Sequence, residues 1–267
     1  MTRVLSGVIL LAFAITMVWF APAPLFLIVG EILLVLACSE YIGLAKTSGL
    51  QVTANVSTAA AVVTCAAFAG VAISGPPLMA LDVVLMTALV TLGAMSLLEW
   101  QGGRDAVASA AASIFPAIYL GLPIGAMIAI RESRGPNALF LLMLTVFASD
   151  TAQYYTGRAF GRRPLAPLVS PKKTIEGALG GFVIGALVLV VVGRWWLPPG
   201  VPIWLRAILG VAVVALGIAG DLFESMLKRS AGVKDSSSLI PGHGGVLDRI
   251  DALLFAAPIY YVVLKYV

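Results

Sequence analysis

This sequence predicts an all-α, polytopic membrane fold, on three observations. Hydrophobic residues make up 60% of the 267-residue chain and charged residues only 11%, where a soluble domain holds about 45–50% apolar and about 25% charged residues. The apolar residues fall in runs near the ~20 residues a helix needs to cross a bilayer. These runs are too continuous for the alternating ~10-residue segments of a membrane barrel. The basic residues gather in alternate connections, the asymmetry expected of a chain that crosses repeatedly.

Nine spans are predicted, over about 4–20, 23–45, 52–73, 78–98, 106–130, 138–157, 174–193, 203–227 and 247–266. The first resembles a secretory signal, with Arg3 before the run and Ala21-Pro22-Ala23 after it. The run is long for that purpose and further spans follow, so an uncleaved helix is expected. Breakers separate later spans at Gly75-Pro76-Pro77 and at Pro198-Pro199-Gly200-Val201-Pro202. These short connections, with Arg131 to Pro136, are placed on one side of the membrane. That side holds Arg131, Arg134, Arg194, Arg206 and Lys265, and the rest of the 17 Lys and Arg face the other. The positive-inside rule then puts the N-terminus in the cytoplasm and the C-terminus outside. Both long polar connections, 158–173 and 228–246, fall on the cytoplasmic side. Cys38 and Cys65 sit inside apolar runs at no metal or disulfide spacing and read as packing residues.

The chain changes character near residue 136. Residues 1–135 are nearly pure apolar helix with small residues, as in Ala59-Ala60-Ala61 and Ala110-Ala111-Ala112. Small residues let membrane helices approach closely, so this region reads as a transmembrane scaffold and oligomer contact. Residues 136–267 form the transmembrane region that carries the chemistry. Glu31, Glu40 and Asp82 are exceptions in the first region. They read either as helix–helix hydrogen bonding or interfacial groups, or as groups near a substrate.

Four polar clusters stand out. Ser149-Asp150 lies mid-span, followed by Gln153, Tyr154 and Tyr155. An acid there needs a wet cavity or a partner cation. Ser170-Pro171-Lys172-Lys173-Thr174-Ile175-Glu176-Gly177 stands where a basic loop enters a span. Lysines beside a helix N-terminus suit phosphate, and they also suit lipid headgroups. The glycine spacing of a P-loop is absent. Gly177, Gly181 and Gly185 recur at four-residue spacing and read as a helix-packing face.

The third cluster is Asp221, Glu224, Ser225, Lys228 and Arg229. In a helix Asp221, Ser225 and Lys228 share one face, where a carboxylate can hold a divalent cation. Glu224 and Lys228 stand at ion-pair spacing. The fourth is Lys234-Asp235, then Pro241-Gly242-His243-Gly244-Gly245, then Asp248-Arg249-Ile250-Asp251, and it holds the only histidine of the chain. Asp248 and Asp251 at a helix start suit one magnesium ion, or simply cap that helix.

The run S-x-x-K-R-x-x-x-x-K-D from Ser225, then I-P-G-H-G-G from Ile240 and L-D-R-I-D from Leu247, resembles the signature of phosphatidate cytidylyltransferases. So do D-T-A-Q-Y-Y-T-G-R-A-F-G-R from Asp150 and S-P-K-K-T-I-E-G from Ser170. The resemblance covers roughly residues 140–255. Ser237 departs from it, standing where that family often has glycine.

The resemblance implies that CTP and phosphatidic acid give CDP-diacylglycerol and pyrophosphate, with Mg2+ and a plausible second cation. Asp221 and Asp248 are then the leading metal ligands, with Asp150 and Asp251 as candidates. Lys172, Lys173, Lys228, Arg229, Lys234 and Arg249 become phosphate contacts, and Asp221, Asp248, Lys228 and Arg229 the catalytic set. Ser170, Thr174, Glu176, Ser225, Asp235, His243, Gly244 and Gly245 belong to substrate binding. The resemblance also implies membrane-lipid partners, a homodimer, no nucleic acid, and a multi-pass place in the inner (plasma) membrane with the site facing the cytoplasm. Two other readings stay open. A CTP-dependent polyprenol kinase would release CDP, and a transporter of a phosphorylated solute would place its polar groups near the midplane.

Overall fold

The computed structural model describes residues 2–73, 79–100, 102, 105–240, 242 and 244–267. The break at Gly75-Pro76-Pro77, Arg104 and His243 lie outside the described residues. The described residues form α1 (Thr2–Phe20), α2 (Ala23–Thr47), α3 (Ala54–Ile73), α4 (Leu81–Glu99), α5 (Ala106–Pro116), a π turn (Ala117–Gly121), α6 (Leu122–Arg134), α7 (Pro136–Phe160), α8 (Ile175–Trp196), α9 (Ile203–Ser230) and α10 (Leu247–Tyr266). Five helical stretches are long and apolar enough to cross a membrane, at Ala23–Thr47, Leu81–Glu99, Ala106–Arg134, Ile175–Trp196 and Ile203–Ser230. The chain is an all-α polytopic membrane protein. One addition to the sequence expectation is a small antiparallel hairpin, β1 (Pro164–Ala166) with β2 (Ser170–Thr174), in the register Pro164↔Thr174 and Ala166↔Ser170.

Local chemistry explains where the helices stop. The α9 helix ends in Gly232 at φ +69°, with Gly232 N donating to Arg229 O and Val233 N to Lys228 O. That is a Schellman closure, which satisfies carbonyls the helix leaves open. The α2 helix ends the same way at Gly49. In α5 the cause of the irregularity is Pro116. It has no N–H for the carbonyl of Ala112, four residues back. The Tyr41 hydroxyl donates to that carbonyl at 3.2 Å in the buried interior, and the chain runs on through the π turn into α6.

The chain forms two compact units. One comprises Met1–Ser133 and Leu227–Arg249, and the other Arg134–Met226 and Ile250–Val267. The first buries Leu34, Leu92, Leu120, Ile128 and Ile130 completely or nearly so. The segment 227–249 packs within this unit, although its sequence neighbours on both sides belong to the second. The second unit buries Leu141, Leu142, Leu189, Leu209, Leu254 and Tyr260. In it α7 and α8 pack closely, where glycines replace side chains. A Cβ on Gly177 would lie 2.8 Å from Gln153 O, one on Gly181 2.5 Å from Gln153 Cγ, and one on Gly185 3.1 Å from Ser149 Cβ. The four-residue glycine repeat is therefore a packing face.

Candidate active site

In the second unit, three segments far apart in sequence bring acids around one lysine. Lys173, the penultimate residue of β2, is half-buried, and its ammonium forms an ion pair with the Asp221 carboxylate from α9. Asp150 on α7 and Asp251 on α10 both lie within electrostatic range of Asp221 and Lys173. Asp150 Oδ1 accepts from Gln153 Nε2 at 2.9 Å. Asp251 Oδ1 accepts from Ala252 N at 2.7 Å. Ser225 Oγ stands 3.5 Å from Asp221 Oδ1, the outer limit of a hydrogen bond. Gly220 allows the close approach of α9 to α10, since a Cβ there would lie 2.5 Å from Asp251 O.

The basic hairpin divides its predicted residues between site and support. Lys173 faces Asp221, whereas Lys172 is exposed. Thr174 is the N-cap of α8, its Oγ1 accepting from Gly177 N at 3.1 Å. Glu176 Oε2 accepts from the backbone N–H groups of Arg162 and Arg163 at 2.9 and 3.2 Å, which holds the turn after α7 onto the start of α8. Ser170 opens β2. Thr174 and Glu176 thus hold the hairpin that aims Lys173.

In the first unit the signature loop folds onto two carboxylates. Asp248, in the first turn of α10, accepts from Lys228 Nζ at 2.5 Å, Ser236 N at 2.9 Å, Ser236 Oγ at 2.7 Å and Gly245 N at 2.8 Å. Glu40, on α2 and 6% exposed, accepts from Ser237 Oγ at 2.7 Å, Ser236 Oγ at 3.0 Å, Val246 N at 2.9 Å and Leu247 N at 2.8 Å. Gly244 turns the chain at φ +79°, in the left-handed region. Lys234, Asp235, Arg229 and Arg249 are exposed along this loop. Arg229 Nη1 donates to Val233 O at 2.8 Å. Ser237, the departure noted in the sequence, has its hydroxyl on Glu40.

The sequence had singled out Glu40 without a partner, and Ser236 not at all. The signal for Glu40 was a carboxylate in an apolar run. Nothing in the spacing connects it to a loop 197 residues away.

The carboxylates of the second unit suit a hard cation that takes oxygen ligands. Among the described residues no three His, Cys, Asp or Glu side chains converge closely enough to hold an ion by themselves.

The family model for the cytidylyltransferase family matches residues 1–267. A Haemophilus influenzae protein named phosphatidate cytidylyltransferase is 52% identical over 131 residues, covering 46% of this chain and 45% of that protein. A protein of the same name from Aquifex aeolicus is 40% identical over 152 residues, 57% of this chain and 56% of that protein. One from Mycobacterium tuberculosis is 39% identical over 155 residues, 57% of this chain and 46% of that protein. The chain spans about half the length of these curated relatives. With its motifs folded into acid and lysine clusters and the family match running end to end, this chain belongs to the cytidylyltransferase family.

Proposed function

We propose that this protein transfers a cytidylyl group from CTP to phosphatidic acid, releasing pyrophosphate and forming CDP-diacylglycerol. The observation that carries the reading is the Lys173–Asp221 ion pair, with Asp150 and Asp251 within electrostatic range of both. A phosphate monoester is already an anionic nucleophile near neutral pH, so the reaction needs no strong base. Its difficulty is electrostatic, because an anionic oxygen must approach the α-phosphorus of a polyanion. The bond from that phosphorus to the bridging oxygen then breaks, and charge grows on the leaving pyrophosphate. Fixed cations address that charge directly. Lys173 is held in place by Asp221, and Lys172, Arg229, Lys234 and Arg249 offer exposed positive charge to phosphates.

Mg2+ is the proposed cofactor, with a second cation as part of the same proposal. Asp221, with Asp150 and Asp251 near it, and separately Asp248 are the proposed ligands. Bound there, the metal would act as a Lewis acid on phosphoryl oxygens. Asp248 already has four donors within hydrogen-bond distance, one of them shared with Glu40, and an ion there would compete with them. The basic connections support an N-terminus and a site on the cytoplasmic side of the inner membrane. In that setting CTP arrives from water and the lipid arrives laterally from the bilayer. The family resemblance supports a homodimer.

The test is pyrophosphate release by purified protein in detergent with CTP, phosphatidic acid and magnesium, each omitted in turn. Release that needs all three is the expected result. CDP formed in place of pyrophosphate with a lipid alcohol as acceptor, or no turnover at all, overturns the reading.

A further inference from the structure

Glu40 is a buried carboxylate that the reaction does not use. Each of its oxygens has two donors, one hydroxyl and one backbone N–H. Val246 and Leu247 present N–H groups that the first turn of α10 leaves without helical partners. Glu40 thus caps α10 from another helix, and the positive end of α10 compensates its charge. Asp248 is compensated separately by Lys228. Ser236 Oγ stands within reach of both carboxylates, at 3.0 Å from Glu40 and 2.7 Å from Asp248. A hydroxyl has one proton to donate, so it serves one acid at a time and couples the two. Gly245 lies against this knot. A Cβ there would sit 2.2 Å from Ser236 Oγ and 2.4 Å from Glu40 Oε2.

We propose that Glu40 is a positioning residue of the active site. Acting through Ser236, Ser237 and the start of α10, it sets the pose of Asp248 and Arg249 and of the loop bearing Lys234 and Asp235. Ser237 adds a second hydroxyl to the knot, and the backbone alone would leave that position open. Its catalytic consequence rests on the cytidylyltransferase reading, whereas its structural consequence does not.

The experiment compares the full chain with Glu40→Ala, Glu40→Gln and Ser237→Ala in detergent. Backbone amide exchange and steady-state kinetics are the readouts. Glu40→Ala is expected to speed exchange over 236–247 by about tenfold, the scale of one or two buried hydrogen bonds lost, while exchange in α7 and α8 stays unchanged. With phosphatidic acid saturating, kcat should fall by about tenfold or more and KM for the lipid by less than about threefold either way, because the groups that lose their pose act on the transition state. Glu40→Gln keeps one acceptor oxygen and should recover part of both effects, and Ser237→Ala should loosen the loop least. Unchanged exchange over 236–247, a uniform rise across both units, or a loosened loop with normal kcat would overturn the proposal. Should the wild type show no CTP turnover, the proposed function fails and the exchange comparison still decides the role of Glu40. Should Glu40→Ala not insert and purify, the double variant Ser236→Ala/Ser237→Ala removes two of the four donors and the same comparison decides.

Discussion

Lys228 Nζ donates to Asp248 Oδ1 at 2.5 Å, with the two side chains only 10% and 6% exposed. A pair this buried is costly to break from one side, because the surviving charge is left without compensation. Lys228→Met is therefore expected to destabilise the protein by about 3–5 kcal/mol. Adding Asp248→Asn should restore at least half of that loss, since the Asp248 charge is then no longer stranded. Thermal unfolding in detergent measures both. Neither variant should turn over CTP, so stability and activity separate in the double variant.

The two lysines of the hairpin should not be equivalent. Lys173 is aimed at Asp221, whereas Lys172 is exposed. Lys173→Gln should reduce turnover by at least about 100-fold, on the scale of removing a preorganised stabiliser of developing charge. Lys172→Gln should cost less than about tenfold, as expected of an exposed, screened cation. Pyrophosphate release at fixed ionic strength tests the pair, and equal losses would contradict the geometry.

Two glycines one turn apart on α9 make opposite predictions. A Cβ at Gly220 would lie 2.5 Å from the backbone oxygen of Asp251, which cannot rotate away. Gly220→Ala should part α9 from α10, cost about 1–3 kcal/mol, and lower turnover by moving Asp221 relative to Asp251. A Cβ at Gly217 would meet nothing nearer than 3.8 Å. Gly217→Ala should be neutral or stabilising by up to about 1 kcal/mol, the helix preference of alanine over glycine.

Tyr41→Phe isolates one hydrogen bond. The variant keeps the ring but leaves the Ala112 carbonyl with neither the hydroxyl nor the N–H that Pro116 lacks. A buried acceptor without a donor costs about 1–3 kcal/mol. A lowered melting temperature with unchanged kcat is the expected outcome.

The sequence made the long helices legible because in a bilayer each span must satisfy its own backbone and present apolar side chains throughout. The motifs around Asp150, Lys173, Asp221 and Asp251 were legible as clusters of polar residues where such residues are rare. Their partners were not. The third cluster offered Glu224 as a helical neighbour for Lys228, and spacing alone gave no sign of the buried contact that Lys228 makes with Asp248, twenty residues further on. Thr174 and Glu176 read as substrate-binding residues from their place at a helix start, and the spacing did not show that Thr174 caps α8 and Glu176 holds the backbone of Arg162 and Arg163. The hairpin at 164–174 escaped notice because β1 is only three residues long and carries no alternation. Glu40 was singled out, but its partners escaped because its four donors come from the other end of the chain, a relation that no local pattern encodes.

The 197 residues between Glu40 and Ser237 also set an order of events in synthesis. At about 5–20 residues per second, Glu40 leaves the ribosome roughly 10–40 s before its donors do. During that interval its carboxylate lacks these donors, so the C-terminal end of α2 cannot settle into its final environment. Membrane insertion of the first helices therefore precedes their completion as a packed body. The nascent chain carries an open end until the last helix arrives to close it.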